Sequence, residues 1–306
     1  MDLYTMAPSG VFSAAALQAY GIGAPLLRLL VSEGKAFPLH RGWYAAQRPV
    51  NDKHRHRLRV AALLQEYEGA VMASHGSAIA WLDLPDEDID WGTVHLMWKD
   101  AKAPFRAFSR VHIHELAQHP ALAHGRDVVD VALAAVQVGL CRQSAMLVLA
   151  DHALHHGLTT PEALRAAAAA LNGNRGIVQA RAALPWCDGR HASPGETLTA
   201  LVLRGLGYLF TPQFEITRRE HPGRSFFADF RIDDTPVLVE FDGRVKYDPS
   251  ENERAVVANF DEKQREDEIR RLGHWVVRLT RADLRRPPVV HSRIEGTIRT
   301  AKMLTA

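Results

Sequence analysis

Two acidic residues interrupt two neighbouring apolar segments near the C-terminus, and they restrict what that part of the chain can fold into. Asp229 lies within residues 226–232, and Glu240 lies within residues 237–243. Both segments otherwise read as buried strands, where an uncompensated carboxylate is costly. Because Mg²⁺ takes oxygen ligands, two such acids at the ends of adjacent strands predict a divalent-metal site.

The last third of the chain alternates between helical and strand-like patterns. Helices are predicted at 194–206 and 259–272, and strands at 213–218, 225–232, 236–241 and 274–279. This α-β-β-β-α-β order predicts a mixed sheet flanked by helices. The fold class expected for the whole chain is therefore mixed α/β (α+β).

Length and composition indicate a globular protein of several domains. The chain has 306 residues, 47% of them hydrophobic, and we divide it into 1–65, 66–188 and 189–306. No apolar run approaches the ~18 residues of a membrane span, and no secretory signal is visible. Cys141 and Cys187 are isolated, which fits neither a disulfide framework nor a zinc site. We expect a cytoplasmic protein.

The first 60 residues are basic and follow the order of a winged helix-turn-helix. They hold eight basic and three acidic residues, which favours an anionic partner such as nucleic acid, although a solvated basic surface is the alternative. Helices at 14–20 and 24–34 precede two short strands within 36–45. In such a domain the second helix enters the major groove and the wing touches phosphate. The predicted DNA-binding residues are Arg28, Lys35, His40 and Arg41.

Three leucines of the second predicted helix have a structural interpretation. Leu26, Leu29 and Leu30 are expected to build a small helical core.

The middle region contains two pairs of histidines that could suggest a metal site. They are His112/His114 and His152/His156, and each pair is spaced to share one face of its element. Neither pair has a further ligand in its sequence neighbourhood, so we assign these histidines no chemistry.

Five ordered blocks in the last third resemble the PD-(D/E)XK nuclease superfamily, in particular its very-short-patch-repair-like branch. They are residues 193–196, 228–230, 238–247, 262–267 and 272–280. The resemblance implies that Glu196, Asp229 and Glu240 hold Mg²⁺ (or Mn²⁺), with Asp242 as a further acid nearby. The metal would polarise the phosphate and activate water.

One position departs from the family pattern. The lysine normally found two residues after the strand glutamate is replaced by Asp242. Lys246 or Arg265 would then supply the cation, and the spacing of Arg265 from Ile269 and Leu272 predicts that it faces the sheet.

Each of these roles has a structural alternative. Residues 193–196 also form a capping-box pattern, in which Glu196 satisfies the helix N-terminus. Asp242 precedes a glycine and is typical of a turn. Lys246 is equally a loop charge.

The N-terminal segment resembles the winged-helix domain of AbiEi-type antitoxins. Together the two resemblances imply a double-stranded-DNA-binding, Mg²⁺-dependent endonuclease that hydrolyses phosphodiester bonds, with no membrane partner. They also imply a cognate toxin or another phage-defence partner. The alternative is a non-catalytic regulator or antitoxin that keeps a degenerate nuclease fold.

Overall fold

A computed structural model of the chain describes residues 7, 9–116, 127–217, 225–243, 265 and 267–305. The chain divides into two compact units, Met1–Cys187 and Asp188–Ala306. Both units combine helices with sheets, so the mixed α+β class expected from the sequence is confirmed. Within the described residues, no helix has the length and apolar character needed to cross a bilayer.

The N-terminal unit begins with a small three-stranded sheet and two helices. In chain order these are β1 (Val11–Ser13), α1 (Ala14–Ala19), α2 (Ala24–Ser32), β2 (Phe37–His40) and β3 (Trp43–Ala45). The sheet is antiparallel, with the strand order β1-β3-β2. The elements therefore follow the predicted order of helix, turn, helix and hairpin.

The core beneath α2 differs from the expected one. Leu27 is buried against Leu17 and Ile22, whereas Leu26 and Leu29 are 45% and 50% exposed. The expectation that Leu26 and Leu29 build this core was wrong. The side of α2 that faces inward depends on its packing against Leu17 and Ile22, and the leucine-rich sequence alone does not reveal it.

Helix α3 (Asp52–Glu66) joins the small sheet to the rest of the N-terminal unit. Asn51 caps it by accepting a hydrogen bond from the His54 N–H at 2.7 Å. One side of α3 packs Leu58 against β1 and β3, while Val60 and Leu63 enter a second core. The segments predicted as 1–65 and 66–188 therefore share this helix and lie in one compact unit.

The second core of the N-terminal unit covers a four-stranded sheet. Its strands are β4 (Val71–Ala73), β5 (Val94–Trp98), β6 (Arg106–Phe108) and β7 (Val111–His114), in the order β4-β5-β7-β6. Helix α4 (His75–Leu82) leaves β4 directly. A helical layer follows: α5 (Val131–Gly139), α6 (Gln143–His155), α7 (Pro161–Ala170) and α8 (Ile177–Ala183), with a short 3₁₀ turn at Leu184–Trp186.

The C-terminal unit is one sheet with helices on both sides. Helix α9 (Pro194–Gly205) precedes β8 (Phe210–Thr217), β9 (Ser225–Ile232), β10 (Val237–Phe241) and β11 (Trp275–Leu279), followed by α10 (Arg281–Leu284) and α11 (Pro287–Thr305). The strand order is β11-β10-β9-β8, and β10 and β11 are parallel. Residues 265 and 267–271 are helical, and the rest of the predicted 259–272 helix lies outside the described residues.

Candidate functional site

The acids Glu196, Asp229 and Glu240 come from three consecutive elements of the C-terminal unit. Glu196 lies in the first turn of α9, Asp229 lies on β9 and Glu240 lies on β10. Strands β9 and β10 pair Val239 with Phe230, and continuing that register by one residue places Asp229 opposite Glu240. This register places the two acids at neighbouring positions of the sheet. Asp229 lies in the middle of β9, not at a strand end as expected.

Side chains on β9 change sides of the sheet at Asp229. Phe226 and Ala228 belong to the core that includes Ile269, whereas Phe230 and Ile232 belong to the core beneath α9 and α11. These four are alternate residues of the strand, so regular β-structure would place their side chains on one side of the sheet. Gln213, opposite Asp229 on β8, has a φ of +49°, the left-handed region that non-glycine residues rarely adopt. Backbone strain is therefore concentrated beside the acid, as is common at functional sites.

Three donors hold the Glu196 carboxylate. Its Oε1 accepts a hydrogen bond from Ser193 Oγ at 2.9 Å, and its Oε2 accepts from the Ala192 N–H at 3.0 Å and from Gln213 Nε2 at 2.8 Å. Ser193 Oγ in turn accepts from the Glu196 N–H at 3.2 Å, which caps α9. Glu196 thus takes part in the N-terminal cap of α9 and also accepts a hydrogen bond from Gln213, the strained residue of β8.

Asp229 is the least compensated of the three acids. Its Oδ2 accepts a hydrogen bond from the Phe241 N–H at 2.7 Å. Burial raises the pKa of Asp229 from 3.8 to about 6, and the nearby negative charges of Glu196 and Glu240 contribute to the rise. The Phe241 hydrogen bond and Arg265 act in the opposite direction without cancelling it. Negative charge therefore accumulates here.

Two arginines approach Glu240. Arg265 Nη2 donates to Glu240 Oε1 at 2.7 Å and to the Phe227 carbonyl at 3.0 Å. Arg278, paired with Glu240 in the parallel β10–β11 register, has its Nε 3.7 Å from Glu240 Oε2. Arg265 therefore lies on the side of its helical segment that faces the sheet, as its spacing predicts. Sequence reasoning missed Arg278 because its position beside Glu240 depends on strand register.

The remaining predicted residues of this site have different outcomes. Asp242 directly follows β10 and its N–H donates to the Leu279 carbonyl at 2.8 Å, which extends the pairing with β11. Lys246 lies outside the described residues.

The donor set of the three acids suits a hard cation such as Mg²⁺, because all three offer carboxylate oxygens. Among the described residues, however, the group of three whose ligand atoms all lie within 4.8 Å of one another is His75, His95 and His114. The three acids do not form such a group in the arrangement seen here.

Gly195 has a packing role that the capping-box interpretation did not explain. A Cβ at Gly195 would lie 1.9 Å from the ring of Phe241. The glycine therefore lets the α9 N-terminus rest on the residue between Glu240 and Asp242. The Ser-Pro-Gly-Glu sequence shows that a glycine is present, but the ring it accommodates is far away in the chain.

The four predicted DNA-binding residues lie on or beside α2 and the β2–β3 hairpin. Arg28 and Arg41 are exposed. Lys35 pairs with Glu33 at 2.7 Å, and His40 Nε2 lies 3.6 Å from Glu66 Oε2. Lys35 and His40 therefore have acidic neighbours, and Arg28 and Arg41 are the exposed guanidinium groups of the set.

Comparisons with known proteins identify relatives but no activity. No family model matches the chain. Two proteins of Mycobacterium tuberculosis, "Uncharacterized protein MT2308" (strain CDC 1551 / Oshkosh) and "Uncharacterized protein Rv2248" (strain ATCC 25618 / H37Rv), are each 28% identical over 264 residues, covering 86% of this chain and 92% of the relative. A match of this length extends across both units.

One solved structure is also similar. "Crystal structure of RV2827C protein from Mycobacterium tuberculosis" matches with a TM-score of 0.37 and 16% identity, over 65% of this chain and 79% of that chain. Similarity this weak supports no conclusion about function.

Replacing Gly195 by alanine should disturb the packing of the α9 N-terminus on Phe241. The added Cβ would force Phe241 or the first turn of α9 to move, at a cost of about 1–3 kcal/mol in the free energy of unfolding. Gly205→Ala is the matched control on the same helix, because nothing lies within 4 Å of its Cβ position. Chemical denaturation should show destabilisation for Gly195→Ala only, and equal effects would contradict the proposed packing.

The raised pKa of Asp229 predicts a pH-dependent effect of Asp229→Asn. The folded pKa of about 6 exceeds the unfolded value of 3.8, so stability is lost as pH rises through about 6 and the buried carboxylate ionises. In the presence of a chelator, Asp229→Asn should stabilise the protein at pH 8 by roughly 1–2 kcal/mol and have little effect near pH 4. Thermal unfolding at both pH values measures this. Equal effects at both pH values would show that the pKa of Asp229 is not raised in the folded protein.

Proposed function

We propose that this chain binds double-stranded DNA and hydrolyses its phosphodiester bonds with a divalent metal ion held in the C-terminal unit. The observation that supports this most directly is the incompletely compensated charge at Asp229. Three acids on α9, β9 and β10 interact electrostatically, and burial next to Glu196 and Glu240 raises the pKa of Asp229 to about 6. A divalent cation would neutralise this charge, whereas a purely structural strand gains nothing from it.

The roles proposed for the residues follow from their chemistry. Asp229 and Glu240 would hold Mg²⁺ or Mn²⁺ through carboxylate oxygens, with Glu196 as a third ligand and Asp242 as a nearby acid. A bound ion supplies Lewis acidity at a phosphate oxygen and lowers the pKa of water. Arg265, and Lys246 beyond the described residues, would place positive charge beside the phosphate as its negative charge grows.

The N-terminal unit would supply the DNA contact. Arg28 on α2 and Arg41 in the β2–β3 turn are exposed cations on two parts of one helix-hairpin arrangement, with Lys35 and His40 close by in sequence. Phosphate contacts of this kind position a protein on a duplex without reading its sequence. We place this activity in the cytoplasm.

A second candidate function has its own supporting observation. Arg265 forms a 2.7 Å ion pair with Glu240, so a guanidinium already occupies one of the carboxylates that the ion would need. Asp242 also replaces the usual lysine. Both features favour a non-catalytic regulator or antitoxin on a degenerate nuclease fold, acting with a cognate toxin or another phage-defence partner.

Nicking of supercoiled plasmid by purified protein separates these two functions. With Mg²⁺ or Mn²⁺ we expect the wild type to nick, and Asp229→Asn or Glu240→Gln to lose at least about 100-fold in rate, the loss typical of removing one stabilising group. Glu215→Gln is the control, because Glu215 is an exposed acid on the neighbouring strand β8 that accepts from Ser225 Oγ. Its nicking rate should equal that of the wild type.

Cleavage that persists in Glu240→Gln, or that is absent with every divalent ion in a folded wild-type protein, would refute the hydrolytic function. If specific DNA binding then survives in both variants, the regulator function is favoured.

DNA affinity should depend on the winged segment. Arg28→Ala combined with Arg41→Ala removes two proposed phosphate contacts and should weaken duplex binding while reducing the slope of log K against log salt by about 2. Arg165→Ala with Arg175→Ala is the matched control, since both arginines are exposed in the same unit. Fluorescence anisotropy at several salt concentrations measures the slope. An unchanged slope would show that this segment does not contact phosphate.

A further inference from the structure

Three histidines that are distant in sequence meet at one point of the N-terminal unit. His75 begins α4, His95 lies on β5 and His114 ends β7. Strands β5 and β7 pair in parallel, and α4 starts two residues after β4, which flanks β5 on its other side. One nitrogen of each ring lies within 4.8 Å of those of the other two. The tertiary structure therefore supplies the additional ligands that His114 lacks in its sequence neighbourhood.

One nitrogen pair of the cluster already has nearly the spacing found in a metal site. His95 Nδ1 lies 3.0 Å from His114 Nε2, and the ring of His75 stacks on that of His114 with centroids 4.1 Å apart. Two imidazole nitrogens bound to one tetrahedral Zn²⁺ at about 2.05 Å are about 3.3 Å apart. Binding would exchange the His95–His114 contact for two coordination bonds, with only a small separation of the rings.

The charge state of the cluster suits metal binding. Burial lowers the pKa of His95 to about 3 and that of His114 to about 4, and the adjacent imidazoles act in the same direction. Burial likewise lowers the pKa of His75 well below its usual range. The rings are therefore neutral at physiological pH, which is the form that binds transition metals.

The backbone around His75 is strained to hold this ring in place. His75 has a φ of +50°, and its N–H donates to Gln137 Oε1 at 2.9 Å. Ser74 Oγ lies 3.1 Å from His75 Nδ1 and orients the ring. An outer hydrogen bond of this kind is typical of metal-binding histidines.

Gln137 provides an independent indication of a ligand. Its side chain is 1% exposed, and its Nε2 has no hydrogen-bond partner within the described part of the chain. A buried donor without a partner is rare in native structures and calls for an explanation. Gln137 lines a cavity of about 740 Å³ together with His75 and His114. The amide therefore adjoins the same space as two of the three imidazoles.

We propose that His75, His95 and His114 bind one divalent transition-metal ion of the Zn²⁺ class, with a fourth coordination position open to this cavity. Nitrogen ligands select such ions over the Mg²⁺ that suits the carboxylates of the C-terminal unit. Three neutral ligands leave the full 2+ charge in place, so the fourth ligand is water or an anionic group, and the Gln137 amide donates to it. The site is independent of the proposed hydrolytic function.

Titration of the full-length, metal-stripped protein with Co²⁺ tests this site. We expect visible d–d absorption that saturates at one ion per chain and is abolished by Zn²⁺. X-ray absorption at the zinc edge of the wild-type protein should show three imidazole nitrogens and one further ligand that is not an imidazole. A zinc coordination shell made of oxygen atoms only, or a Co²⁺ titration without saturable visible absorption, would overturn the proposal. Both results come from the wild-type protein.

Variants locate the ion within the chain. His95→Gln and His114→Gln should each weaken Co²⁺ binding by at least about 10-fold, with circular dichroism showing that the fold is retained. His155→Gln, at an exposed histidine on α6, should leave binding unchanged. Loss of the absorption in this control, or its retention in both cluster variants, would contradict the assignment.

Discussion

The carboxylate of Asp229 lies half-buried between two strands, and the acids nearest to it increase its electrostatic cost. Glu196, in the first turn of α9, adds its negative charge, and Glu240 lies opposite Asp229 on β10. Burial and these two charges together raise the pKa of Asp229 to about 6. The strained backbone of Gln213 and the reversal of side-chain direction along β9 both occur at this point. Backbone strain and a buried charge therefore occur at the same position of the C-terminal sheet.

The state of Glu240 decides between the two candidate functions. Its pairing with Arg265 has side chains only 12% and 27% exposed, so the ion pair is partly shielded from solvent. If the pair is permanent, Glu240 cannot coordinate a cation and the sheet is a scaffold. If Arg265 instead moves from Glu240 to a phosphate when DNA binds, the ion pair stabilises the Glu240 carboxylate only in the DNA-free protein. The ion pair alone is compatible with both, which is why metal dependence is decisive.

The sequence predicts local features of this protein well and nonlocal ones poorly. Hydrophobic segments interrupted by Asp229 and Glu240 locate β9 and β10, and Ser193 correctly predicts the N-terminus of α9. Features that depend on residues far apart in the chain were missed. They include the packing of Gly195 on Phe241, the approach of Arg278 to Glu240, and the meeting of His75 and His95 with His114. Strand register and chain direction create these contacts, and neither is encoded in a short window.

If Asp229 is a ligand of a divalent cation, the ionisation of this one residue reports whether the ion binds. Titration of the Asp229 carboxyl carbon by NMR, without metal and with saturating Mg²⁺, reports the pKa in each state. We expect a pKa of about 6 without metal and a value well below that when Mg²⁺ is present, with no such change when Mg²⁺ is added to Glu240→Gln. A pKa that Mg²⁺ does not move in the wild type would mean that Asp229 binds no ion.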